Sequence, residues 1–225
     1  MGLNIALDGP SGAGKSSLAK ALAKDMNLLY LDTGALYRAI GLYGLRHNAD
    51  TKSASEIVPL LAQINIVLKR MEGSQHVFLN GEDVTTLIRT QDVSMAASNV
   101  SSIAQVRTFL LDLQRDVAKK ENVVMDGRDI GTVVLPNAEV KIFLTAAAEI
   151  RAERRYHELL QRGMLGNYTK EDILKQIQER DLQDSTRLVA PLKCAADAIV
   201  LDNSSFTFEQ TVEAAKEIIR SRIHV

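Results

Sequence analysis

The sequence predicts an α/β fold, a parallel sheet covered by helices on both faces. Three observations predict it. Short apolar runs recur along the chain (LNIAL, LLYLD, NVVMD, VKIFL and AIVLD), each the length of a buried strand. Between them lie longer stretches with apolar residues at helical spacing. Strand, helix and strand repeated in this order require the long crossovers of a parallel sheet.

The elements follow in order. LNIAL is the first strand, and it runs into DGPSGAGKSS, Asp8 to Ser17. A helix follows, with Leu18, Leu22 and Met26 on one face. LLYLD is the second strand and leads into a helix at LDTGALYR. Residues Ile64 to Ile88 break the pattern: INIVLKR alternates, and HVFLNGEDV alternates again around Asn80-Gly81, a favoured two-residue hairpin turn. This predicts a small antiparallel insertion. NVVMDGRDIG and VKIFL return to the parallel pattern. Arg151 to Tyr168, RAERRYHELLQRGMLGNY, is strongly charged and then glycine-containing, and reads as a mobile helical hairpin outside the core. AIVLD is the last strand, followed by a helix with Val212, Ala215, Ile219 and Ile223 on one face.

Composition excludes several classes. The 225 residues suffice for one domain, and 46% hydrophobic with 24% charged content is ordinary for a globular protein. A net charge of −1 and 4% aromatic residues argue against nucleic acid or an anionic membrane as partner. Cys194 is the only cysteine, so no internal disulfide forms, and it reads as a small buried hydrophobe. The start MGLNIALDG has no signal-peptide pattern, Ala6 spoils a myristoylation match, and no apolar run would span a bilayer. The expected location is the cytoplasm. His47, His76, His157 and His224 are scattered, and no Cys/His metal cluster is present.

Gly9 to Ser16 fits G-x-x-x-x-G-K-[ST] between a strand and a helix, the context that a phosphate loop needs. Gly9, Gly12 and Gly14 let the loop, which also holds Pro10, Ser11 and Ala13, wrap phosphates with the N–H groups of its non-proline residues, and Ser16 and Ser17 open a helix whose dipole favours anions. Lys15 can reach the outer phosphates and the Ser16 hydroxyl can ligate Mg²⁺. The loop therefore reads as the seat of the β- and γ-phosphates of a nucleoside triphosphate. It does not fix where the γ-phosphate goes. A GTPase should show N-K-x-D, which is absent. A kinase needs a second pocket, and for a phosphorylated acceptor that pocket needs fixed guanidinium groups.

Several candidates stand at the carboxyl ends of the expected strands, where ligands of open α/β sheets bind. Thr33 starts the helix after the second strand, and Arg38, five residues on, is either a surface arginine or a phosphate ligand. Arg128 and Asp129 lie on the glycine-flanked turn after Asp126. In ERDLQDSTR, the spacing of Arg180, Asp184 and Arg187 puts all three on one helical face. That face is either a solvated salt-bridge ladder or a contact surface for a sugar phosphate. Arg151, Arg154 and Arg155 either decorate a solvated helix or close over the donor phosphates and exclude water. No general base is required, because a phosphate dianion is already a nucleophile.

The combination GPSGAGKSS, LDTGALYR, IRTQDVSMAASNVSSIAQVR, DGRDIGTVV, KIFL, ERDLQDSTR and APL resembles bacterial cytidylate kinases, from about Asn4 to beyond Asp202. The resemblance implies a P-loop kinase with a five-stranded parallel sheet, order 2-3-1-4-5, in a single domain over residues 1–225. Within it an acceptor-binding insertion would span 64–100 and a lid 151–168, both closing when acceptor binds. It implies transfer of the γ-phosphoryl of ATP, with Mg²⁺, to CMP or dCMP. By the same resemblance Thr33 lies near the acceptor, and Arg38, Arg128 and Arg187 hold its phosphate. Ser98, Arg107 and Asp129 read the cytosine edge, Asp184 and Arg180 contact the sugar, and Arg154 lies over the donor as part of the lid. Lys15, Arg128, Arg154 and Arg187 share the charge of the transferring group.

Chemistry supports the base assignment in part. Cytosine offers an amino donor beside two acceptors, so a carboxylate such as Asp129 can accept while Arg107 donates; uracil reverses part of that pattern. Within enzymes the rivals are kinases for UMP, AMP or shikimate. From another class, the rival is a nucleotide-dependent switch or regulatory ATPase acting through a protein partner. A monomer is expected.

Overall fold

The computed structural model describes residues 2–71 and 74–223. The expected domain over 1–225 and insertion over 64–100 each include positions outside the described residues, and His224 is one of them. In chain order the strands are β1 (Asn4–Asp8), β2 (Leu29–Asp32), β3 (Ile66–Met71), β4 (Ser74–Leu79), β5 (Glu82–Asp83), β6 (Val123–Gly127), β7 (Val140–Thr145) and β8 (Ile199–Asp202). The helices are α1 (Lys15–Asp25), α2 (Thr33–Arg46), α3 (Ala54–Leu61), α4 (Gln91–Val100), α5 (Ala104–Lys120), α6 (Ala148–Gln161), α7 (Lys170–Thr186) and α8 (Phe208–Ile223). The chain divides into two compact units, Met1–Leu29 with Glu121–Val225, and Tyr30–Lys120.

The five-stranded sheet has the order β2-β6-β1-β7-β8. Counted along the parallel strands alone, this is the expected 2-3-1-4-5. Strand β1 pairs in parallel with β6 on one side and β7 on the other, Ile5 lying opposite both Val124 and Val140. The apolar runs are explained by this placement: all five residues of β6 are buried, as are four of the five in β1. The chain leaves β1 in the middle of the sheet, so the turn after Asp8 is the switch point at which ligands of such sheets bind.

In the first unit, Leu18 and Leu22 of α1 and Ala215 and Ile219 of α8 are buried. Helices α6 and α7 bury Ala152, Leu159, Ile173 and Ile177 against one another. Of the segment expected to be a helical hairpin outside the core, residues 151–161 belong to α6, which has a packed face, and 162–168 to its connection with α7. Cys194 is half-buried rather than buried.

The second unit carries the antiparallel sheet β3-β4-β5. Phe78 pairs with Asp83 and Leu79 with Glu82 across Asn80-Gly81, whose φ values of 50° and 89° are those a tight I′ hairpin turn requires. Ile66, Val77 and Leu79 join Leu36, Ile40, Val93, Val106 and Leu110 in one apolar core. Helices α2 and α4 meet almost backbone to backbone. A Cβ at Gly41 would lie 2.9 Å from the Ala97 nitrogen and 3.0 Å from the Ala96 Cβ.

Candidate functional site

The glycine-rich turn after β1 has the shape its sequence implies. Gly9 has φ 147°, and a Cβ there would run into the Leu144 carbonyl oxygen of β7. Gly14, with φ 93°, stands before α1, so the first N–H groups of the helix emerge without a side-chain cap. Those groups suit a phosphate.

Lys15 is only 6% exposed, and its Nζ donates to the Pro10 carbonyl at 2.7 Å, inside its own loop. Burial, then the Arg128 guanidinium, pushes the Lys15 ammonium well below its usual range, with Asp126 opposing. Polyphosphate bound against the loop would favour the charged form. Ser16 Oγ donates to Asp126 Oδ2 at 2.8 Å. This hydroxyl–carboxylate pair is an oxygen-only donor set, the kind that Mg²⁺ takes together with substrate phosphates.

Beyond β6 lies a charged cluster. Arg128 Nε donates to Asp184 Oδ2 at 2.8 Å. Arg187 reaches Asp184 Oδ1 at 3.8 Å and Asp129 Oδ1 at 3.7 Å, and its Nε donates to the Ala190 carbonyl at 2.7 Å. Burial works against charge on Asp184, but Arg128, Arg180 and Arg187 overcome it and hold the carboxyl below the usual range. Arg128, Arg180 and Arg187 thus gather around Asp184 and Asp129, with Asp126 and Asp8 also acting on Arg128, a cluster whose guanidinium groups can serve an anion.

The expected helical face needs correction. Arg180 and Asp184 are on α7, but the helix ends at Thr186 and Arg187 is extended, with φ −60° and ψ 142°. The Leu192 N–H donates to the Asp184 carbonyl at 2.7 Å, and Ser185 and Thr186 turn their hydroxyls back onto the carbonyls of Asp181 and Leu182. These bonds compete with further helix. Arg187 joins the cluster through its side chain.

Asp8 was not singled out by its sequence context. It is 5% exposed and accepts N–H groups from Ile130 at 2.8 Å and Gly131 at 2.7 Å. Burial, against those two bonds, pushes its carboxyl up to about 6. The sequence around Asp126 likewise carries no local sign of its bond to Ser16. The signal available was positional: Asp8, Asp32 and Asp202 end strands, and Asp126 is next to last in β6.

The arginines of α6 do different things. Arg151 is buried; it donates to the carbonyls of Ala146 and Ser11 and makes a two-armed contact with Asp181 at 3.2 and 2.7 Å. It braces the phosphate loop, in place of the solvent-facing or closing role expected. Arg155 pairs with Glu158. Arg154 donates to Asn203 Oδ1 at 3.1 Å and to its carbonyl at 2.8 Å, and Asn203 Nδ2 donates to the Ala13 carbonyl at 3.1 Å. Asn203 is a further residue that sequence reasoning missed.

The second unit holds Thr33, Arg38, Ser98 and Arg107. Asp32 ends β2 and caps α2 by accepting from the Ala35 N–H at 3.0 Å. It lies 3.7 Å from Arg38 and 3.0 Å from Arg89. Burial raises the Asp32 carboxyl, but Arg38 and Arg89 dominate and hold it low. Thr33 is buried in the first turn of α2. Ser98 and Arg107 are buried and linked through Ser101: the Ser98 carbonyl accepts from Ser101 Oγ at 2.8 Å, and the Ser101 carbonyl accepts from Arg107 Nη1 at 3.1 Å. The Arg107 guanidinium lies 5.4 Å from the centre of the Tyr37 ring, a cation–π contact. Arg89 and Tyr37 had no signal beyond their residue type.

Among the described residues no group of three or more His, Cys, Asp and Glu side chains could hold a metal alone. His47 bonds the Tyr43 carbonyl, His76 pairs with Asp83 and His157 with Glu153.

The family model for cytidylate kinase matches residues 5–221. The cytidylate kinase of Caldicellulosiruptor saccharolyticus is 50% identical over 216 residues, covering 96% of this chain and 95% of its own. That of Geobacillus sp. is 48% identical over 221 residues, 98% of each. Among solved structures, shikimate kinase from Bacteroides thetaiotaomicron aligns over 99% of both chains with a TM-score of 0.51 and 17% identity, a likeness of fold.

Proposed function

Because the chain belongs to the cytidylate kinase family, we propose how its residues divide the work of that family's reaction. The enzyme transfers the γ-phosphoryl group of ATP to CMP or dCMP, giving ADP and CDP or dCDP. One observation carries the assignment of roles: Ser16 at the end of the donor loop bonds Asp126 at 2.8 Å, two residues before Arg128, which bonds Asp184 at 2.8 Å, so the donor loop and the arginine cluster adjoin.

Residues 9–17 hold the ATP phosphates. Arg38, Arg128 and Arg187 are assigned to the acceptor phosphate, and Thr33 to the acceptor's surroundings. Asp184 accepts from the sugar hydroxyl and Arg180 supports it. Asp129 accepts from the cytosine amino group, while Arg107 and Ser98 serve its acceptor edge. Arg154 lies over the donor. The attacking oxygen belongs to a phosphate dianion and needs no base. Lys15, Arg128, Arg154 and Arg187 neutralise the charge that spreads over the phosphoryl oxygens during transfer. Mg²⁺, held by Ser16 and Asp126, would neutralise the β- and γ-phosphates. No described helix is long and apolar enough to cross a membrane. A cytoplasmic monomer with no nucleic-acid or membrane partner is the working state we propose.

Coupled ADP production with CMP, dCMP, UMP, AMP and GMP in turn tests the reading. Strong turnover with CMP and dCMP, weak turnover with UMP, and loss of that preference in Asp129→Ala are expected. Slow hydrolysis indifferent to every monophosphate would instead favour a nucleotide-dependent switch.

A further inference from the structure

Asp129 precedes the short π-helical turn Ile130–Val134, in the position where an aspartate ordinarily accepts from the first N–H groups of its own turn. Its side chain makes no such bond. Those N–H groups are satisfied from far away in sequence. Ile130 donates to Asp8 Oδ1 at 2.8 Å and Gly131 donates to Asp8 Oδ2 at 2.7 Å, across 122 and 123 positions. Both carboxylate oxygens are used. Gly131 fits the same contact, because a Cβ there would lie 3.3 Å from Asp8 Oδ2 and 3.1 Å from Lys141 Cδ. Register brings the two ends together: Asp8 closes β1 opposite Gly127, the residue before Arg128.

We propose that Asp8 is a positioning residue for base selection: it caps the 130–134 turn from β1, so that the Asp129 carboxylate serves the acceptor's base instead of its own turn. The proposal rests on the assignment of Asp129 to the base. Without Asp8, the orphaned N–H groups would draw the nearest carboxylate, that of Asp129, into the cap position. The same contact ties the strand that launches the phosphate loop to the turn that carries Arg128 and Asp129.

The test compares Asp8→Asn, Gly131→Ala, Asp129→Ala and the double variant Asp8→Asn/Asp129→Ala. It measures kcat/KM for CMP and for UMP and the KM for ATP. Asp8→Asn keeps one acceptor oxygen but sets an amide N–H₂ against a backbone N–H. Its CMP-over-UMP ratio falls by about tenfold or more, as loss of one charge-assisted hydrogen bond implies. The fall enters through the KM for CMP, with the KM for ATP unchanged. Gly131→Ala, which presses on the same contact from the other side, falls in the same direction. The double variant is no less selective than Asp129→Ala alone, since both changes remove one device. If Asp8→Asn does not fold, Gly131→Ala decides. An intact ratio in Asp8→Asn or Gly131→Ala, beside a lost ratio in Asp129→Ala, overturns the proposal and leaves the base assignment standing. An intact ratio in Asp129→Ala removes the base assignment itself, and the proposal with it. A rise in the KM for ATP equal to that for CMP, at constant ratio, also overturns it.

Discussion

Asp184→Asn exchanges one buried oxygen for an amide and deletes one negative charge among three arginines. The Asp184 side chain is 5% exposed and its Arg128 partner 18%, so water repairs little of the loss. Removing one member of such a pair typically costs about 3–5 kcal/mol, and the oxygen that asparagine retains places this variant near about 3 kcal/mol. In a chain of this size that corresponds to a fall in Tm of about 6–12 °C. The effect has a definite pH signature. The folded Asp184 carboxyl is held below its ordinary value of 3.8, so the folded state binds its proton less tightly than the unfolded state. Its contribution is present above that ordinary value and is lost as pH falls through the lower folded one. Urea unfolding of the ligand-free protein at a series of pH values should therefore show a wide gap between wild type and variant at neutral pH. The gap should narrow only below about pH 4. The KM for CMP should rise more than that for ATP. Coincident unfolding curves at neutral pH, or a gap indifferent to pH, would refute the claim that Asp184 is the counter-charge organising the cluster.

Other outcomes follow from the same geometry. Gly9→Ala forces a positive φ and drives a methyl into the Leu144 carbonyl, so a loss of at least about 4 kcal/mol, or no folded protein at all, is expected in thermal melts; a Tm equal to wild type would contradict the packing at the loop. Asp8, with its folded pKa raised to about 6, stabilises the fold most below its unfolded value of 3.8. That stability is lost as pH rises through 6, by about 3 kcal/mol at 1.36 kcal/mol per pKa unit. Chemical denaturation between pH 4 and 7 should show this slope flattened in Asp8→Asn. Asn203→Ala leaves the Ala13 carbonyl without its side-chain donor and removes one of the two bonds that Arg154 makes to residue 203, the one to the main-chain carbonyl remaining; it should cost about 1–3 kcal/mol of stability and weaken ATP binding in calorimetric titration, and unchanged ATP affinity would separate Arg154 from the donor.

The parts of this protein legible in its sequence are those where cause is local or strictly periodic. NIAL and VVM read as buried parallel strands because both faces of such strands are covered. Asn80-Gly81 reads as a hairpin because two consecutive positive φ values admit few residue types. The phosphate loop is legible for the same reason. Legibility fails where a partner sits far along the chain. Arg151 lies in a charged run that looks solvated, yet its partners are Ser11 and Asp181, 140 and 30 positions away. The spacing of Arg180, Asp184 and Arg187 suggested one continuous helix, but the Leu192 N–H reaches the Asp184 carbonyl and ends it. Asp8 caps a turn that begins 122 residues later, which no local pattern can announce. Asn203 and Arg89 belong to the same group.

The near-contact of α2 and α4 at Gly41 works as a gauge. Arg38 and Tyr37 ride on one helix and Ser98 on the other, and their separation is fixed by main-chain atoms with only hydrogen between them. A spacing set by long side chains would breathe as those side chains change rotamer. A spacing set by backbone does not, and it cannot be retuned by exchanging one ligand-facing residue. Any change in the spacing of α2 and α4 would mean rebuilding the helix pair at Gly41, where a methyl group already finds no room.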